Sequence, residues 1–368
     1  MIEVADIFRQ HAAAYQARHV LLPNQRRALR DITACRTAYF GGHLAQCDHC
    51  AHLHYSYHSC RNRHCPKCHG EQTRDWLERQ ESRLLPCAYF LLTFTLPAGL
   101  RKLAWQHQKV VYGALLRAAA NTVLTLTADP QWLGATPDIM AVLHTWTRAL
   151  LYHPHAHLLV SAGGYRQADQ TWAGLKHPAF LVPVHALSRI FRAKMRQALG
   201  DARLLDRVSP EIWDQPWVVH ARPAGTGAKV LEYLARYVFR VAIANSRLEA
   251  FHEGNVTFRY RDNRTQQLRR VTLPADQFIG RFLLHVLPRG FPKVRHYGLG
   301  SSSAGQYRQD ARHLLAQLCP RPAAPDPAPP PTLAGLPAAA ETVPVCRHCR
   351  QGRLIPIQVL PPQRGPPP

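Results

Sequence analysis

The sequence predicts an α+β fold, and the prediction depends on two kinds of segment in its middle region. Residues 88–97 (AYFLLTFTLP) and 155–164 (HAHLLVSAGG) are rich in β-forming residues and end in Pro or Gly, which is typical of strands. Residues 185–199 (HALSRIFRAKMRQAL) and 229–243 (KVLEYLARYVFRVAI) carry apolar residues at helical spacing. Strands and helices therefore mix within one domain.

Composition divides the chain into three predicted regions. Residues 1–88 hold a cysteine and histidine cluster, residues 89–300 hold the strands and helices, and residues 301–368 form a tail. Half of the 30 prolines lie between residues 320 and 368, a composition that favours extended chain over a packed core. The tail also contains Cys346 and Cys349, a C-x-x-C pair whose partners the sequence leaves open.

The charge predicts a polyanionic partner. Lysine and arginine number 46 against 23 acidic residues, a net charge of +23. We expect DNA rather than a membrane, because we find neither an apolar run of membrane-spanning length nor a signal peptide. The glycines in PAGTGAKV do not have phosphate-loop spacing, so no nucleotide cofactor is expected. The predicted location is the cytoplasm, in association with the nucleoid.

The N-terminal cysteines predict a structural zinc site. Two C-x-x-C pairs, Cys47/Cys50 and Cys65/Cys68, are separated by 14 residues, and four thiolates complete a closed tetrahedral Zn²⁺ site. Cys60 is an additional candidate ligand, and a second ion in this segment is left open. A closed site keeps no position for substrate, so the zinc would contribute to folding and not to chemistry.

A second metal site is predicted from LLYHPHAHLLV. His153, His155 and His157 alternate along an expected strand, so their side chains project from one face. We take His155 and His157 as a pair that binds a divalent ion. His144 is the preferred third ligand, because a hairpin would return it to the same face, and His153 is the alternative. A histidine-rich strand without a metal is the simpler interpretation.

Two tyrosines are the candidate nucleophiles. Tyr233 and Tyr237 are four residues apart on a predicted helix, so their hydroxyl groups would emerge side by side. Tyrosine attack on a phosphodiester conserves the energy of the bond in a phosphotyrosine ester, so the strand can be rejoined later without ATP. Aromatic residues at this spacing also pack cores, and the pair gains weight only from the histidines and the charge.

Basic side chains beside these motifs are candidates for binding DNA phosphates. They lie on the cysteine segment and on the tyrosine helix: Arg61, Arg63, Lys67, Arg236 and Arg240.

Together these motifs resemble the two-tyrosine HUH transposases of the insertion sequence 91 family. SCRNRHCPKC resembles their zinc-binding domain, LYHPHAHLLV their histidine–hydrophobe–histidine motif, and EYLARYVFRVAIANSRL their paired-tyrosine helix, while FIGRFLLHVLPRGFPKVRHYG and the C-x-x-C tail are similar to their closing segment. The resemblance implies an HUH-type catalytic domain with a central antiparallel sheet, a catalytic Mg²⁺ or Mn²⁺ and rolling-circle-like transposition.

Carried over to this sequence, the resemblance assigns His155 and His157 to the metal pair and Tyr233 and Tyr237 to the nucleophiles. His144 follows by analogy with relaxases, whose third histidine also precedes the pair. The residue between the paired histidines is Ala156, smaller than the bulky hydrophobe expected there. We therefore expect weaker packing behind the site.

The predicted function is a DNA transposase that nicks and rejoins single-stranded transposon ends through a 5′-phosphotyrosine intermediate, with transposon ends and target as partners and the oligomeric state open. One alternative is a non-catalytic zinc-ribbon protein that binds nucleic acid. Another is a metal-dependent hydrolytic nuclease, which would leave free ends. A transposase with three catalytic carboxylates is disfavoured, because acidic residues are few and none stands near the histidine strand.

Overall fold

The computed structural model describes residues 2–68, 76, 79–81, 83–226, 242–262, 265–318 and 344–365. Within these residues the helices are α1 (Val4–Arg18), α2 (Pro23–Thr33), α3 (Arg101–Gln106), α4 (Gln108–Ala128), α5 (Val184–Asp201), α6 (Ala275–Leu283) and α7 (Gly305–Leu318). The strands are β1 (Gly42–Cys47), β2 (Leu53–Tyr57), β3 (Ala88–Thr95), β4 (Asp138–Trp146), β5 (Tyr152–Ser161), β6 (Gly163–Arg166), β7 (Thr171–Gly174), β8 (Val219–Thr226), β9 (Leu248–His252), β10 (Asn255–Arg261), β11 (Leu268–Pro274), β12 (Val294–Gly298) and β13 (Leu354–Leu360).

A five-stranded antiparallel sheet forms the centre of the molecule, in the order β12-β4-β5-β3-β8. The mixed α+β architecture with antiparallel sheets is confirmed. The strand β5 begins at Tyr152, two residues before Pro154. Proline is tolerated inside this central strand because the β4–β5 ladder is irregular there, with a register shift between His144 and Trp146.

One face of the central sheet packs against α4 and α5 and forms the main hydrophobic core. Leu158 and Val160 of β5 meet Leu115 of α4 and Phe191 of α5 in this core. By length and composition α4 could cross a membrane, which corrects the expectation that no run would reach that length. Most of α4 is buried inside the protein, as expected of a core helix.

A second core joins the N-terminal helices to a later part of the chain. Residues of α1 and α2 pack with α6 and with the three-stranded sheet β11-β10-β9. Phe8 of α1, for example, meets Phe282 of α6 edge to face, with ring centroids 5.3 Å apart. The predicted boundary at residue 88 therefore does not separate two cores, because apolar residues on both sides of it share one.

The tail returns to the N-terminal segment. The strand β13 pairs with β1 and extends a three-stranded antiparallel sheet in the order β13-β1-β2. The end of the tail is therefore paired with the N-terminal segment through β13. Residues 319–343 lie outside the described part of the chain, so the expectation for them stays a prediction.

Candidate catalytic and zinc-binding sites

Strict alternation along β5 presents its histidines on the sheet face opposite the helices. Ala156, Leu158 and Val160 point into the main core, so His153, His155 and His157 project from the other side. Ala156 is fully buried and lies opposite Phe94 of β3 and Leu143 of β4. Larger residues therefore flank the small side chain on both neighbouring strands, and the expectation of weaker packing behind the site stays a prediction.

The structure brings His144, His155 and His157 together. His144 lies directly opposite His155 in the β4–β5 ladder, and one potential ligand atom from each ring lies within 4.8 Å of the other two. The ring centroids of His144 and His157 are 4.6 Å apart, and those of His155 and His157 are 4.8 Å apart. Two ligands on opposite sides of an ion with bonds of about 2.1 Å are about 4.2 Å apart, so small adjustments would bring all three to one ion.

Hydrogen bonds orient two of these rings. Nδ1 of His155 lies 2.7 Å from the main-chain oxygen of His153, which can only accept, so this nitrogen carries the proton. Nδ1 of His157 lies 2.9 Å from Oγ1 of Thr93 on the neighbouring strand β3. Both interactions leave Nε2 as the nitrogen for a metal ion, the arrangement in which a second hydrogen bond fixes a ligating histidine.

His153, the alternative third ligand, is engaged elsewhere. A guanidinium nitrogen of Arg101 donates to its Nδ1 over 2.8 Å, so the lone pair of that atom is already used. His153 does not belong to the group formed by the other three histidines. The arrangement therefore favours His144.

The environment favours the neutral form of His155 and His157. Burial lowers the pKa of His155 to about 4. The pKa of His157 is well below its ordinary value. Burial is the main cause, and repulsion from Arg222 and from a protonated His155 adds to it. Both rings retain some open surface, although protein atoms surround them closely. Neutral imidazole is the form that binds metal ions.

Three neighbours of the site were not predicted. Besides Thr93, Trp146 stacks on His144 with ring centroids 5.0 Å apart, and the ammonium of Lys293 lies 4.8 Å from the centroid of the Trp146 ring. Burial, followed by the nearby charge of Arg63, lowers the pKa of Lys293 to about 7. Of these three residues, only Thr93 had a signal in the sequence, because it is a polar residue inside an apolar strand. Lys293 belongs to a segment that is distant in the sequence.

The predicted nucleophiles Tyr233 and Tyr237 lie outside the described residues, as do the predicted DNA-binding residues Arg236 and Arg240. Their assignment stays a prediction.

The cysteines form two groups of four instead of the predicted set. Cys65 and Cys68 join Cys60 and Cys35, whereas Cys47 and Cys50 join the pair from the tail, Cys346 and Cys349. The expected site made of Cys47, Cys50, Cys65 and Cys68 is therefore corrected. The strand pairing explains the change, because β1 carries the first pair toward β13 and away from Cys65 and Cys68.

The first group has the spacing of a thiolate metal site. Sγ of Cys68 lies 3.4 Å from Sγ of Cys35 and 3.4 Å from Sγ of Cys60. Sulfur atoms of a disulfide are about 2.0 Å apart, whereas thiolates on one tetrahedral zinc are about 3.8 Å apart. Cys60, the additional candidate ligand, is therefore part of the group. Cys35 was not predicted as a ligand of this site, because no second cysteine lies near it in the sequence.

Of the basic residues predicted to contact DNA on the cysteine segment, two are bonded to other parts of the protein. Arg63 donates to the main-chain oxygens of Phe291 and Pro288, at 2.6 and 2.8 Å, and Lys67 forms an ion pair with Glu3. Arg63 therefore fastens the cysteine segment to residues 288–291, and Lys67 fastens it to the beginning of α1. Arg61 is exposed and stays the prediction for phosphate contact.

Comparison with known proteins identifies the class. Residues 7–96 match the family model of the transposase zinc-binding domain, named for insertion sequence 91, and residues 139–307 match a family model described as "Putative transposase". The first match contains Cys35, Cys60, Cys65 and Cys68, and the second contains His144, His155 and His157. A zinc-binding domain joined to a transposase domain is the organisation of a DNA transposase.

Two relatives define the family. The chain is 39% identical over 387 residues to "Putative transposase y4qJ" of Sinorhizobium fredii, covering 99% of this chain and 97% of that protein. It is 29% identical over 313 residues to "Transposase for insertion sequence element IS801" of Pseudomonas savastanoi pv. phaseolicola, covering 79% and 74%. The chain belongs to the insertion sequence 91 family of transposases, enzymes that nick and rejoin DNA, and its zinc-binding domain takes Zn²⁺.

Solved structures of the conjugative relaxase TrwC in complex with oriT DNA are also similar. The metal-free structure is 15% identical, covers 62% of this chain and 72% of the relaxase chain, and has a TM-score of 0.26. The metal-bound structure is 14% identical, covers 63% and 72%, and also has a TM-score of 0.26.

Proposed function

We propose that this transposase cleaves single-stranded transposon ends by tyrosine attack and holds the 5′ phosphate covalently, beside a divalent ion bound by three histidines. The observation that carries the proposal is the convergence of His144, His155 and His157 on one sheet face, with Nδ1 of two rings already hydrogen-bonded. Three ligands leave coordination positions open, as a catalytic metal site requires.

The donor set fits a divalent cation of the Mn²⁺ or Mg²⁺ type, with Mn²⁺ favoured because imidazole nitrogen suits Mg²⁺ less well. When bound, the ion would polarise the scissile phosphate and stabilise the leaving oxygen. The protein's part is to present three neutral imidazoles in fixed orientation. Nδ1 of His155 donates to the main-chain oxygen of His153, and Nδ1 of His157 would donate to Oγ1 of Thr93 when Nε2 holds the ion.

The chemical step assigned to Tyr233 or Tyr237 is a transesterification. The phenolic oxygen loses its proton and forms a bond to phosphorus, the bond from phosphorus to the 3′ oxygen breaks, and that oxygen takes up a proton. The product is a 5′-phosphotyrosine and a free 3′ hydroxyl group. The number of phosphate ester bonds is unchanged, so the reverse reaction rejoins a strand without ATP.

A second tyrosine allows two linked cleavages. One tyrosine would hold the first transposon end while the other cuts the second end or the target, and each released 3′ hydroxyl could attack the other phosphotyrosine. We assign Arg61, Arg236 and Arg240 to backbone contacts with the single strand, because the net charge of +23 favours such a partner. A cytoplasmic, nucleoid-associated location follows from this role.

The test uses the purified full chain and a fluorescent single-stranded oligonucleotide that carries one transposon end. With Mn²⁺ we expect a covalent protein–DNA adduct that survives denaturing electrophoresis. The adduct should be lost in the Tyr233→Phe, Tyr237→Phe double variant and persist in Tyr307→Phe, a matched change outside the proposed site. An adduct that forms without both tyrosines would refute the mechanism.

The same assay separates the alternatives. A hydrolytic nuclease would release a labelled product with a free 5′ phosphate and no adduct, whereas a non-catalytic zinc-ribbon protein would bind the oligonucleotide without cutting it. His155→Ala should abolish cleavage but not binding. The control is His252→Ala, since His252 lies exposed on the β9–β10 hairpin.

A further inference from the structure

The second cysteine group is assembled from the two ends of the chain. Cys47 is the last residue of β1 and Cys50 follows this strand, while Cys346 and Cys349 precede β13, about 300 positions later. Sγ of Cys47 lies 3.6 Å from Sγ of Cys349, and Sγ of Cys50 lies 3.9 Å from Sγ of Cys346. These distances match the roughly 3.8 Å between thiolates on one tetrahedral zinc and exclude disulfide bonds.

The main chain is hydrogen-bonded in a similar way at the two pairs, although the oxygen that accepts from the first cysteine lies five residues later at Cys47 and six residues later at Cys346. Main-chain bonds run from Cys47 N to His52 O and from Ala51 N to Cys47 O, both 3.0 Å. At the tail pair, Cys346 N bonds to the oxygen of residue 352 and the nitrogen of residue 350 bonds to Cys346 O, both 2.8 Å.

The residue after the second cysteine also adopts the same backbone conformation in both pairs. Its φ is positive at Ala51, 56°, and at Arg350, 58°. A non-glycine residue at positive φ is uncommon, so its recurrence indicates two matching turns around a shared centre.

The two pairs also interlock at Gly352. A side-chain carbon at this position would lie 2.5 Å from Sγ of Cys47 and 2.6 Å from Oδ1 of Asp48. That same carboxylate oxygen accepts from the nitrogen of Arg353 over 2.8 Å, and the nitrogen of Asp48 donates to the oxygen of Arg353 over 3.1 Å. The tail pair is therefore fitted closely against the N-terminal pair.

Apolar burial at this junction is small. The buried cluster consists of Cys47, Cys346 and Leu354, while Ile355, Ile357 and Val359 of β13 are largely exposed. Hydrophobic packing alone gives a weak reason for the tail to remain on β1. A metal ion held by four thiolates supplies binding free energy that a small core cannot.

We infer that Cys47, Cys50, Cys346 and Cys349 bind a second structural zinc ion, separate from the ion of Cys35, Cys60, Cys65 and Cys68. This ion fastens residues 344–365 to the zinc-binding domain. The strands of the central sheet lie between the two cysteine pairs in the sequence. The ion therefore determines the position of residues 344–365 after the proline-rich segment.

The first experiment counts zinc in the purified full chain, by metal analysis with protein concentration from amino-acid hydrolysis. We expect two ions per chain in the wild type and one in the Cys346→Ser, Cys349→Ser double variant. Cys87→Ala, which removes a cysteine outside both groups, should retain two. One ion in the wild type, or two in the double variant, would overturn the inference.

The second experiment leaves all the cysteines in place. A specific protease site is inserted between residues 330 and 331, the chain is cleaved, and the products are separated by gel filtration. We expect the tail fragment to elute with the body of the protein and to separate from it after treatment with a zinc chelator. Retention in the presence of chelator would show that packing alone holds the tail, and release before chelation would show that no ion fastens it.

Discussion

The hydrogen bond from His157 to Thr93 should control affinity for the catalytic ion. Replacing Thr93 by Val keeps the shape of the side chain but removes the oxygen that lies 2.9 Å from Nδ1 of His157. The buried N–H group then loses its acceptor, which costs about 1–3 kcal/mol. Loss of such a partner typically weakens metal binding about 10-fold to 100-fold, equivalent to about 1.4–2.7 kcal/mol.

Isothermal titration of the full chain with Mn²⁺ measures this change directly. We expect the dissociation constant of Thr93→Val to rise about 10-fold to 100-fold. Adduct formation should return toward the wild-type rate at saturating Mn²⁺, because the three ligands remain. The matched control is Thr125→Val, because the hydroxyl group of Thr125 bonds to the main-chain oxygen of Asn121 within α4, away from the histidines. Unchanged Mn²⁺ affinity in Thr93→Val would refute the role given to this hydrogen bond.

Three further predictions concern stability and the tail. Burial raises the pKa of Asp138 to about 6 from the ordinary 3.8, so the stability it contributes is present below about pH 4 and lost as the pH rises through 6. The free energy of unfolding of Asp138→Asn, relative to that of the wild type, should therefore rise by up to about 3 kcal/mol from pH 4 to pH 7, measured by urea unfolding. A difference between the two proteins that does not change with pH would contradict this. Gly352→Ala places a carbon 2.5 Å from a cysteine sulfur and should cost about 1–3 kcal/mol, measured as weaker zinc retention in a chelator titration; unaltered retention would argue against the close fit. Arg63→Met removes two hydrogen bonds to the 288–291 segment and should lower the free energy of unfolding by about 1.5–3 kcal/mol, whereas Arg61→Met should change it little.

The histidine site could be predicted from the sequence because its signal is local. Alternation along a strand fixes the face on which His155 and His157 lie, and a hairpin of limited length returns His144 to them. Thr93 belongs to a strand that precedes this hairpin by more than 40 residues. Its position opposite His157 depends on strand order in the sheet, which local patterns do not specify.

The cysteine grouping could not be predicted because its signal is not local. Cys47, Cys50, Cys65 and Cys68 are close in sequence and have suitable spacing, so proximity favoured one shared ion. The actual partners of the first pair lie about 300 positions away, and only the pairing of β1 with β13 brings them together. The proline-rich composition of the tail predicted an extended chain and concealed the short strand at its end.

The proposed division between structural and catalytic metal sites follows from ligand chemistry. Four thiolates surround an ion completely, so a nucleic-acid phosphate cannot reach it, and soft sulfur selects zinc. Three imidazoles leave coordination positions for phosphate oxygens and would hold a harder ion less tightly. Removing zinc should therefore release the tail and weaken the N-terminal fold, whereas removing the divalent ion should stop cleavage and leave the fold intact. A chelator that is selective for zinc would distinguish the loss of zinc from the loss of the divalent ion in one preparation. Only the loss of zinc would change the gel-filtration profile of the cleaved chain.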